Sequence, residues 1–555
     1  MRCSALKSTQ LMQQDYICSI FLKLTNMLAN LSTQTTVFKL FCATLFLISS
    51  QILNAQTDGF PYAQLITTQN THSFLEVLTS DSLEGRETGK IGNERAANFI
   101  ANHVSKMNAH AIGDSDTYFQ RIVFTNDSWN KLSASLNGKP LRNMVDFLAY
   151  TQANPEAENI INADSVMFLG YGIETPKFND YRGNIVKDKV VLILTGEPFS
   201  KDSVNITTGK VGATVWSKDR AMKVRIACAH GARAIIFLNK NFSRDARTDK
   251  GLFTNSSMND VTPTQFLIPN IYLSTTATDS ILQKYSKKIE NYTKQAAQGK
   301  SAAKFEMPFK ISFTTSRLLT QIISRNVLGF FEGSDSVLKK EVVVVSCHLD
   351  HLGKRGNVIY HGADDNGSGS SGLMAMCEAF GAAEREHKMP KRSILCLFMT
   401  GEEKGLLGSK YYVNHPKIPI DKTVADINID MIGRIDPQHR DTADYVYVIG
   451  ADKLSDDMER IHKEVNARYT KLHLDYTYND ENDPNRYYYR SDHYNFAEKG
   501  IPVVFLFNGT HADYHQPTDT IDKINFEALV KRAQFAFLTA WEIADRKERL
   551  KVRGK

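Results

Sequence analysis

Four consecutive valines, Val342–Val345, restrict the fold of this 555-residue chain more than any other feature. They run directly into the small polar residue Ser346, so the strand they form is apolar on both of its faces. Such a strand is typical of a parallel sheet that is covered by helices on both sides. Sheets of this kind bind their ligands beyond the C-terminal ends of the strands. The sequence therefore predicts chemistry at His348 and Asp350, which follow this strand.

The same alternation of apolar strands and amphipathic helices continues from Asn326 towards the C-terminus. It predicts an α/β fold with a mostly parallel, mixed sheet that carries helices on both faces. The predicted strands are 341–346, 394–399, 425–430, 445–449 and 501–507. The predicted helices are one that begins at Asn366, then 406–414, 455–468 and 526–545.

The length of the chain exceeds one compact core and predicts two domains plus a targeting segment. Residues 1–55 are interpreted as a signal peptide, because the apolar run Leu40–Leu53 follows a lysine and ends in small and polar residues. We expect cleavage at Ala55 and an exported protein that is periplasmic, secreted or at the cell surface, without stable membrane insertion. An uncleaved anchor, and a start at Met27 rather than Met1, remain open alternatives.

Charge and cysteine content exclude two classes of function. The formal net charge of +6 is partly carried by the leader, and no basic run with interleaved aromatic residues is present, so nucleic acid is not an expected partner. The four cysteines beyond residue 55 match neither a zinc knuckle nor a disulfide framework. We expect them to be free and mostly buried, with no catalytic role; they are Cys228, Cys347, Cys377 and Cys396.

The pattern of predicted elements changes near residue 160, where short strands separated by turns begin. Gly170-Tyr-Gly172, the strands within 187–194 and 231–237, and Ile268–Ser274 resemble a protease-associated domain. An unrelated small α/β insertion that shapes access to a site is the alternative. The predicted organisation is residues 56–159 as the N-terminal part of the main domain, 160–310 as a smaller β-rich α/β insertion, and 311–555 as the catalytic part.

Three further apolar strands also end in residues that suit metal chemistry. The first precedes Glu402 and Glu403, the second ends at Asp430, and the third leads to His515. Imidazole nitrogen and carboxylate oxygen together suit zinc or a similar divalent ion. Of two adjacent glutamates in a turn, one can face a metal while the other faces an attacking water. Read singly, the glutamates could be a surface pair, the aspartate a helix cap or an arginine partner, and the histidine structural.

Taken in order, the motifs after these strands resemble the two-zinc exopeptidase family that includes aminopeptidase Y, bacterial leucyl aminopeptidases and glutamate carboxypeptidase. The segment Leu83-Glu-Gly-Arg86 is also similar to the N-terminal region of that family. The resemblance is carried by His348-Leu-Asp350, Gly362-Ala-Asp-Asp365-Asn-Gly-Ser368-Gly, Gly401-Glu402-Glu403, Asn428-Ile-Asp430-Met and Tyr514-His515-Gln-Pro-Thr-Asp519-Thr.

The resemblance implies a role for each matching residue. It makes Asp365 the carboxylate that bridges two zinc ions, with a cis peptide bond to Asn366. It gives Glu403 and His515 to one ion, and His348 and Asp430 to the other. Glu402 becomes the general base and Asp350 the partner that orients His348. From its position in the sequence, we also expect Asp519 to orient His515, as carboxylates do for metal-bound imidazoles.

The expected function is that of a zinc-dependent aminopeptidase, which removes N-terminal residues from peptides or proteins. Two zinc ions facing three carboxylates would keep a positive charge, which favours hydroxide bridging the ions over water. A carboxypeptidase of the same family is one alternative, and would need cationic side chains such as Arg434 or Arg490 to hold a substrate carboxylate. A non-catalytic receptor on the same fold is another. A serine hydrolase is disfavoured because Gly367–Gly372 lacks the G-x-S-x-G pattern. The preferred N-terminal residue, the native metal and the oligomeric state stay undetermined.

Overall fold

The structure is a computed structural model, and the residues that it describes are 58–150, 157–183, 185–248, 256–259, 267–301 and 305–554. The predicted signal peptide and its cleavage site lie outside the described residues. Among the helices that the structure describes, none combines the length and the apolar character needed to cross a membrane.

Helices and strands alternate through most of the described chain. The helices are α1 (Phe60–Ala63), α2 (Thr68–Leu78), α3 (Ile91–Lys106), α4 (Val215–Lys218), α5 (Arg220–Ala229), α6 (Phe242–Thr248), α7 (Thr275–Ala296), α8 (Gly369–Arg385), α9 (Leu407–Asn414), α10 (Asp456–Val465), α11 (His493–Glu498) and α12 (Phe526–Asp545). The strands are β1 (Phe119–Leu136), β2 (Lys139–Leu141), β3 (Phe147–Tyr150), β4 (Asn159–Phe168), β5 (Val190–Leu194), β6 (Ala234–Asn239), β7 (Ser256–Asn259), β8 (Asn270–Ser274), β9 (Phe305–Phe331), β10 (Val342–His348), β11 (Gly353–Arg355), β12 (Val358–Tyr360), β13 (Ser393–Met399), β14 (Thr423–Ile429), β15 (Tyr445–Ile449), β16 (His473–Asp475) and β17 (Val503–Phe507).

One continuous mixed sheet organises these elements, in the strand order β16-β15-β17-β14-β10-β13-β9-β4-β5-β6-β8-β3. Strands β13, β10, β14 and β17 run parallel to one another at the centre of the C-terminal half. Strand β15 is antiparallel to β17, and β9 is antiparallel to β13. The predicted fold class, a mostly parallel mixed sheet flanked by helices, is confirmed.

The valine strand β10 behaves as its composition predicts, because every residue from Val342 to His348 is buried. Helices α8 and α12 pack against this half of the sheet, and the rings of Phe380 and Phe537 lie 4.5 Å apart between them. A strand with helices on both sides needs apolar residues at consecutive positions rather than at alternate ones. The strand nevertheless extends two residues further than predicted, so that His348 is its last residue.

Residues 160–310 contribute the distal half of the same sheet, through strands β4, β5, β6 and β8. Two hydrophobic clusters, which also include residues of β1, β3 and β9, cover the two faces of this half. The predicted boundary between residues 310 and 311 falls inside β9, a strand of 27 residues. Strand β9 pairs with β4 at one end, with β13 at the other, and with β1 along most of its length. That this half is a protease-associated domain stays a prediction.

The four cysteines beyond the predicted leader are free, as expected. Three of them are buried, and Cys228 is partly exposed. Burial raises the pKa of the Cys347 thiol above its ordinary value, so this thiol stays protonated at neutral pH.

Candidate metal centre

The four central parallel strands bring all the predicted ligands to one edge of the sheet. His348 ends β10, and Asp430 directly follows β14. Glu402 and Glu403 follow β13, and His515 lies eight residues beyond the end of β17. Because parallel strands end on the same side, polar residues that follow them converge even when they are far apart in sequence. This convergence is what the sequence predicted.

Asp365 lies at the centre of the group, with its two carboxylate oxygens facing different histidines. Its Oδ1 is 3.4 Å from Nε2 of His348, and its Oδ2 is 3.0 Å from Nε2 of His515. The turn that presents it begins at Gly362, which has a positive φ of 58°. The peptide bond between Asp365 and Asn366 is cis, as the resemblance implied. The arrangement allows one carboxylate to bridge two cations.

On one side of Asp365, His348 and Asp430 face each other. Nε2 of His348 is 3.2 Å from Oδ1 of Asp430 and 4.0 Å from Oε2 of Glu402. The hydroxyl of Ser491 donates a hydrogen bond of 2.8 Å to Oδ2 of Asp430 and so fixes that carboxylate. The pairing of His348 with Asp430 is the one predicted for one of the two ions.

On the other side of Asp365, Glu403 lies between two imidazoles. Its Oε2 is 3.3 Å from Nε2 of His515, which is the predicted pair. Its Oε1 is 2.8 Å from Nδ1 of His351, a fully buried residue that sequence reasoning missed. The signal was present in the sequence, since His351 directly follows Asp350 beyond the strand end. A histidine three residues after the end of the strand can face in any direction, however, so its sequence position could not assign it to the site.

Asp350 contacts His348, as predicted, but through its main chain rather than through its carboxylate. Nδ1 of His348 is 3.9 Å from Oδ1 of Asp350, but it is 3.1 Å from the main-chain carbonyl oxygen of the same residue, with which it forms a hydrogen bond. The carboxylate instead accepts hydrogen bonds from the Thr88 hydroxyl and from the main-chain N–H of Glu402. Asp350 therefore orients His348 through its carbonyl, and its carboxylate positions the turn that carries Glu402.

Asp519 also serves a different residue from the one expected. Its Oδ2 accepts hydrogen bonds from the main-chain N–H groups of Asp364 and Asp365, at 3.0 and 3.2 Å. Asp519 thereby holds the turn that presents Asp365. The ring of His515 instead stacks on that of Tyr514, with ring centres 3.9 Å apart. The expectation that Asp519 orients His515 was wrong, because sequence proximity does not determine which way a side chain in a loop points.

The N-terminal motif at residues 83–86 is explained by Arg86, whose guanidinium is fully buried. It donates hydrogen bonds to the main-chain oxygens of Leu349, His361 and Gly362, which flank His348 and Asp365. Burial lowers the pKa of Arg86 to about 10, so the group stays charged at neutral pH. The N-terminal segment is thus part of the framework of the site.

The electrostatics of the group depend on its excess of buried carboxylates. Burial raises the pKa of Glu402 well above its usual value, and the charges of Glu403 and Asp430 act in the same direction. Burial would also raise the pKa of Asp365, but the facing histidines hold it well below its usual range. Burial acts to lower the pKa of His348, yet the facing Asp430 and Glu402 raise it well above normal. A set of buried anions of this kind is a strong site for cations.

A cleft with mainly aromatic walls opens onto these carboxylates. Asp365, Glu402, Asp430 and His515 line its floor. Its walls are formed by Met431, Tyr487, Arg490, Phe505, Phe507, Thr510 and Tyr514. The cleft offers an apolar surface beside a charged group, which is the usual form of a small-ligand site.

The residues fit two metal ions on an observation that is independent of any resemblance. Nε2 of His351 is buried and has no hydrogen-bond partner among the described residues, and Nδ1 of His351 and Oε1 of Glu403, although 2.8 Å apart, form no hydrogen bond with each other or with another described residue. Buried polar atoms without partners are costly, and a cation can satisfy them. Two groups of three donors that could each hold a metal ion meet here: His348 with Glu402 and Asp430, and His351 with Asp365 and Glu403.

Residues 326–540 match the sequence profile of Peptidase family M28, which confirms the predicted resemblance for this segment. Leupeptin-inactivating enzyme 1 of Streptomyces exfoliatus is 29% identical over 239 residues, which cover 39% of this chain and 48% of that protein. A probable leucine aminopeptidase of Arthroderma otae is 30% identical over 215 residues, which cover 37% of this chain and 55% of that protein. The chain thus spans about half the length of these curated relatives.

The structure of an aminopeptidase from Aneurinibacillus sp. strain AM-1 aligns over 90% of this chain and 98% of its own, with a TM-score of 0.52 and 17% sequence identity. At this identity the likeness shows the fold alone. It extends well beyond the segment that the family profile covers, into the distal half of the sheet.

Proposed function

Because residues 326–540 carry the pattern of Peptidase family M28, we propose that this protein is a zinc-dependent aminopeptidase that removes N-terminal residues from peptides or proteins. The observation that carries the proposal is the position of Asp365. One carboxylate that faces His348 with one oxygen and His515 with the other is suited to join two metal ions in one reaction site.

Two zinc ions would be held by this chain as two sets that share Asp365. His348 and Asp430 would complete one set, and Glu403 and His515 the other. His351 lies beside Glu403 and is available as a further ligand or as a partner that orients that carboxylate. Bound zinc would lower the pKa of a water molecule and polarise the carbonyl group of the substrate.

Glu402 would move the proton of the reaction. Its carboxylate lines the floor of the cleft, and its main chain is fixed by the hydrogen bond to Asp350. A carboxyl whose pKa is raised above its usual value holds a proton more readily than an ordinary carboxylate does, and it can pass that proton on. Glu402 would take a proton from the attacking water and deliver it to the nitrogen of the leaving amine.

Cleavage from the amino end is supported by the charge of the site. The carboxylates on the floor of the cleft would attract a protonated α-amine, and the aromatic walls would surround the first side chain. The Thr510 hydroxyl lies 3.3 Å from the Tyr487 hydroxyl at the same cleft and could hydrogen-bond a polar substrate group. The name of one matched relative, the probable leucine aminopeptidase of Arthroderma otae, agrees with this direction of cleavage.

A carboxypeptidase is the second candidate, and Arg490 is the observation that favours it. The Arg490 guanidinium lines the cleft, lies 4.8 Å from the centre of the Tyr487 ring and donates to the Tyr514 hydroxyl. Within the described part of the chain no carboxylate forms an ion pair with it. Arg434, the other cation considered, is committed to Asp513 and Asp519 and is mostly buried. A single exposed arginine is a weaker carboxylate site than a cluster of cations.

One apolar peptide in three forms tests the proposal. The free peptide and its C-terminally amidated form should lose N-terminal residues at similar rates, whereas the N-acetylated form should stay intact. Mass spectrometry over time records which end is shortened, and removal of metal by a chelator should stop cleavage until zinc is restored. Loss of C-terminal residues from the acetylated peptide would establish the carboxypeptidase instead. No cleavage of any form, with two zinc ions bound, would favour a non-catalytic protein.

We also propose that the protein is exported and begins near Gln56 after processing. The apolar run from Leu40 to Leu53 supports this proposal. N-terminal sequencing of protein recovered outside the cytoplasm would contradict it by finding Met1 or Met27 intact.

A further inference from the structure

Three potential metal ligands lie together at the edge of the sheet, apart from the metal centre. His473 and Asp475 are on β16, the edge strand, two positions apart and therefore on the same face of the strand. His439 lies at the end of a short 3₁₀ turn, Pro437–His439, that follows β14. We call these three residues the edge cluster.

The distances within the edge cluster suit a common ion. Nε2 of His439 is 3.2 Å from Oδ2 of Asp475, and the ligand atoms of all three residues lie within 4.8 Å of one another. Ligands bound to zinc at about 2.1 Å in a tetrahedron lie roughly 3.4 Å apart. His439 and Asp475 are in contact but form no hydrogen bond with each other. The ring of His473 forms no hydrogen bond with any residue that the structure describes.

His439 is oriented as a metal-binding imidazole is. Its Nδ1 is 2.8 Å from Oδ1 of Asp436, a buried carboxylate, which leaves Nε2 directed to the cluster. Asp436 is fixed in turn by the Tyr447 hydroxyl, at 2.7 Å from its Oδ2. The imidazole also stacks on the Tyr445 ring, with ring centres 3.6 Å apart. A carboxylate that holds the second nitrogen of a histidine is the usual support of a metal ligand.

We propose that the edge cluster binds a divalent transition-metal ion of the zinc class through His439, His473 and Asp475. Zinc-class ions bind a set of two imidazole nitrogens and one carboxylate oxygen well. Calcium and magnesium instead favour sets made of oxygen donors. Two of the three ligands are well covered, since their side chains are 10% and 17% exposed, and His473 is open to solvent. His473 would therefore bind the ion from its solvent-exposed side.

The bound ion would join β16 to the turn that carries His439. Strand β16 has only three residues and pairs with β15 on one side alone, so few main-chain hydrogen bonds hold it. Asp436, beneath the cluster, also packs under Gly509, where an added Cβ would lie 2.5 Å from its Oδ2. The site is structural in this proposal, and it shares no ligand with the metal centre.

Zinc content of the full-length purified protein tests the proposal. Wild type, His473→Ala and His387→Asn are dialysed against the same low concentration of free Zn²⁺, and zinc per chain is measured by mass spectrometry. His387 is an exposed histidine outside both groups, with a positive φ that asparagine tolerates. His473→Ala should hold one zinc ion fewer than wild type, and His387→Asn should hold the same number. His439→Gln should repeat the loss.

Thermal unfolding provides a second readout. Added Zn²⁺ should raise the Tm of wild type and of His387→Asn further than that of His473→Ala, because an ion that binds only the folded state stabilises it. Equal zinc content in wild type and His473→Ala would overturn the proposal and leave His439 as a histidine hydrogen-bonded to Asp436 alone. The difference between the variants is counted whether or not peptides are cleaved, so failure of the proposed peptidase function would not be mistaken for failure of this site.

Discussion

The hydroxyl of Thr88 donates a hydrogen bond of 2.6 Å to Oδ2 of Asp350, across 262 positions of the sequence. The other oxygen of the same carboxylate accepts the main-chain N–H of Glu402. The N-terminal segment therefore supports the turn that presents the proposed general base. Both Thr88 and Asp350 are buried, so water cannot replace either bond readily.

Replacing Thr88 with valine should lower kcat by about 10- to 100-fold, the range that is typical when a residue supporting a metal site is lost. The zinc content should change little, because the Thr88 hydroxyl hydrogen-bonds to Asp350, which is not a proposed ligand. Thr88→Ser keeps the hydroxyl and should retain most of the activity. Steady-state kinetics on one unblocked peptide measure the effect. Equal kcat in Thr88→Val and wild type would show that Asp350 needs no support from the N-terminal segment.

The adjacent glutamates should differ when each is changed to glutamine. Glu402→Gln should reduce kcat by about 10²- to 10⁴-fold, the usual contribution of a general base, while both zinc ions stay bound. Glu403→Gln should lower the zinc content, because its carboxylate lies between His515 and His351. Zinc per chain and kcat are measured on the same samples. Retained turnover in Glu402→Gln would remove it from the mechanism.

Arg490→Met should change substrate preference rather than the chemical step. A guanidinium beside the cleft favours a substrate carboxylate, so peptides that begin with glutamate should lose about tenfold in kcat/KM relative to peptides that begin with lysine. Competition between the two peptides in one reaction measures the ratio directly. If the loss instead follows the free C-terminal carboxylate and disappears on amidation, Arg490 holds the far end of the substrate and the carboxypeptidase is favoured.

Lys223 should make stability depend on pH in the distal half. Its ammonium is buried and donates to the carbonyl oxygens of Leu194 and Gly196. Burial lowers its pKa to about 7 from the ordinary 10.5, although Asp180 and Glu197 oppose the change. Between these pH values the unfolded chain binds a proton that the folded chain lacks. The free energy of unfolding therefore gains up to about 1.4 kcal/mol per pH unit from this residue as pH rises.

The pH dependence of stability is tested by comparing wild type with Lys223→Met. Lys201→Met, at an exposed lysine, is the control. Denaturant midpoints at pH 7.5 and 9.5 should show wild type gaining stability relative to Lys223→Met as pH rises. Lys201→Met should follow wild type. A constant difference between wild type and Lys223→Met at both pH values would show that the lysine keeps its proton when buried.

The group of residues in the metal centre could be predicted from the sequence because it depends on strand ends. Polar residues lie at or beyond the C-terminal ends of four apolar strands, and parallel strands bring such residues to one edge of the sheet. The individual contacts within the group were less predictable. His351, Thr88 and Asp519 lie in loops or distant segments, where only the folded chain determines which atoms meet.

The local sequence pattern also could not predict that both parts of the chain form one continuous sheet. The composition changes near residue 160, and that change suggests a separate insertion. It carries no information on whether the strands of the two parts share an edge. The 27 residues of β9 alternate between buried and exposed positions over much of their length, as a strand in one sheet does, but their pairing with both β4 and β13 is a long-range relationship.

The match to Peptidase family M28 begins at Asn326, inside β9 and close to the end that pairs with β13. The limit of shared sequence is therefore not a limit of folding. A fragment cut at that residue would keep the last few residues of the strand but would lose most of its pairing with β1. Strand β9 instead gives the distal half and the half with the metal centre one continuous main chain, along which a change in the twist of the sheet on one side can be carried to the other.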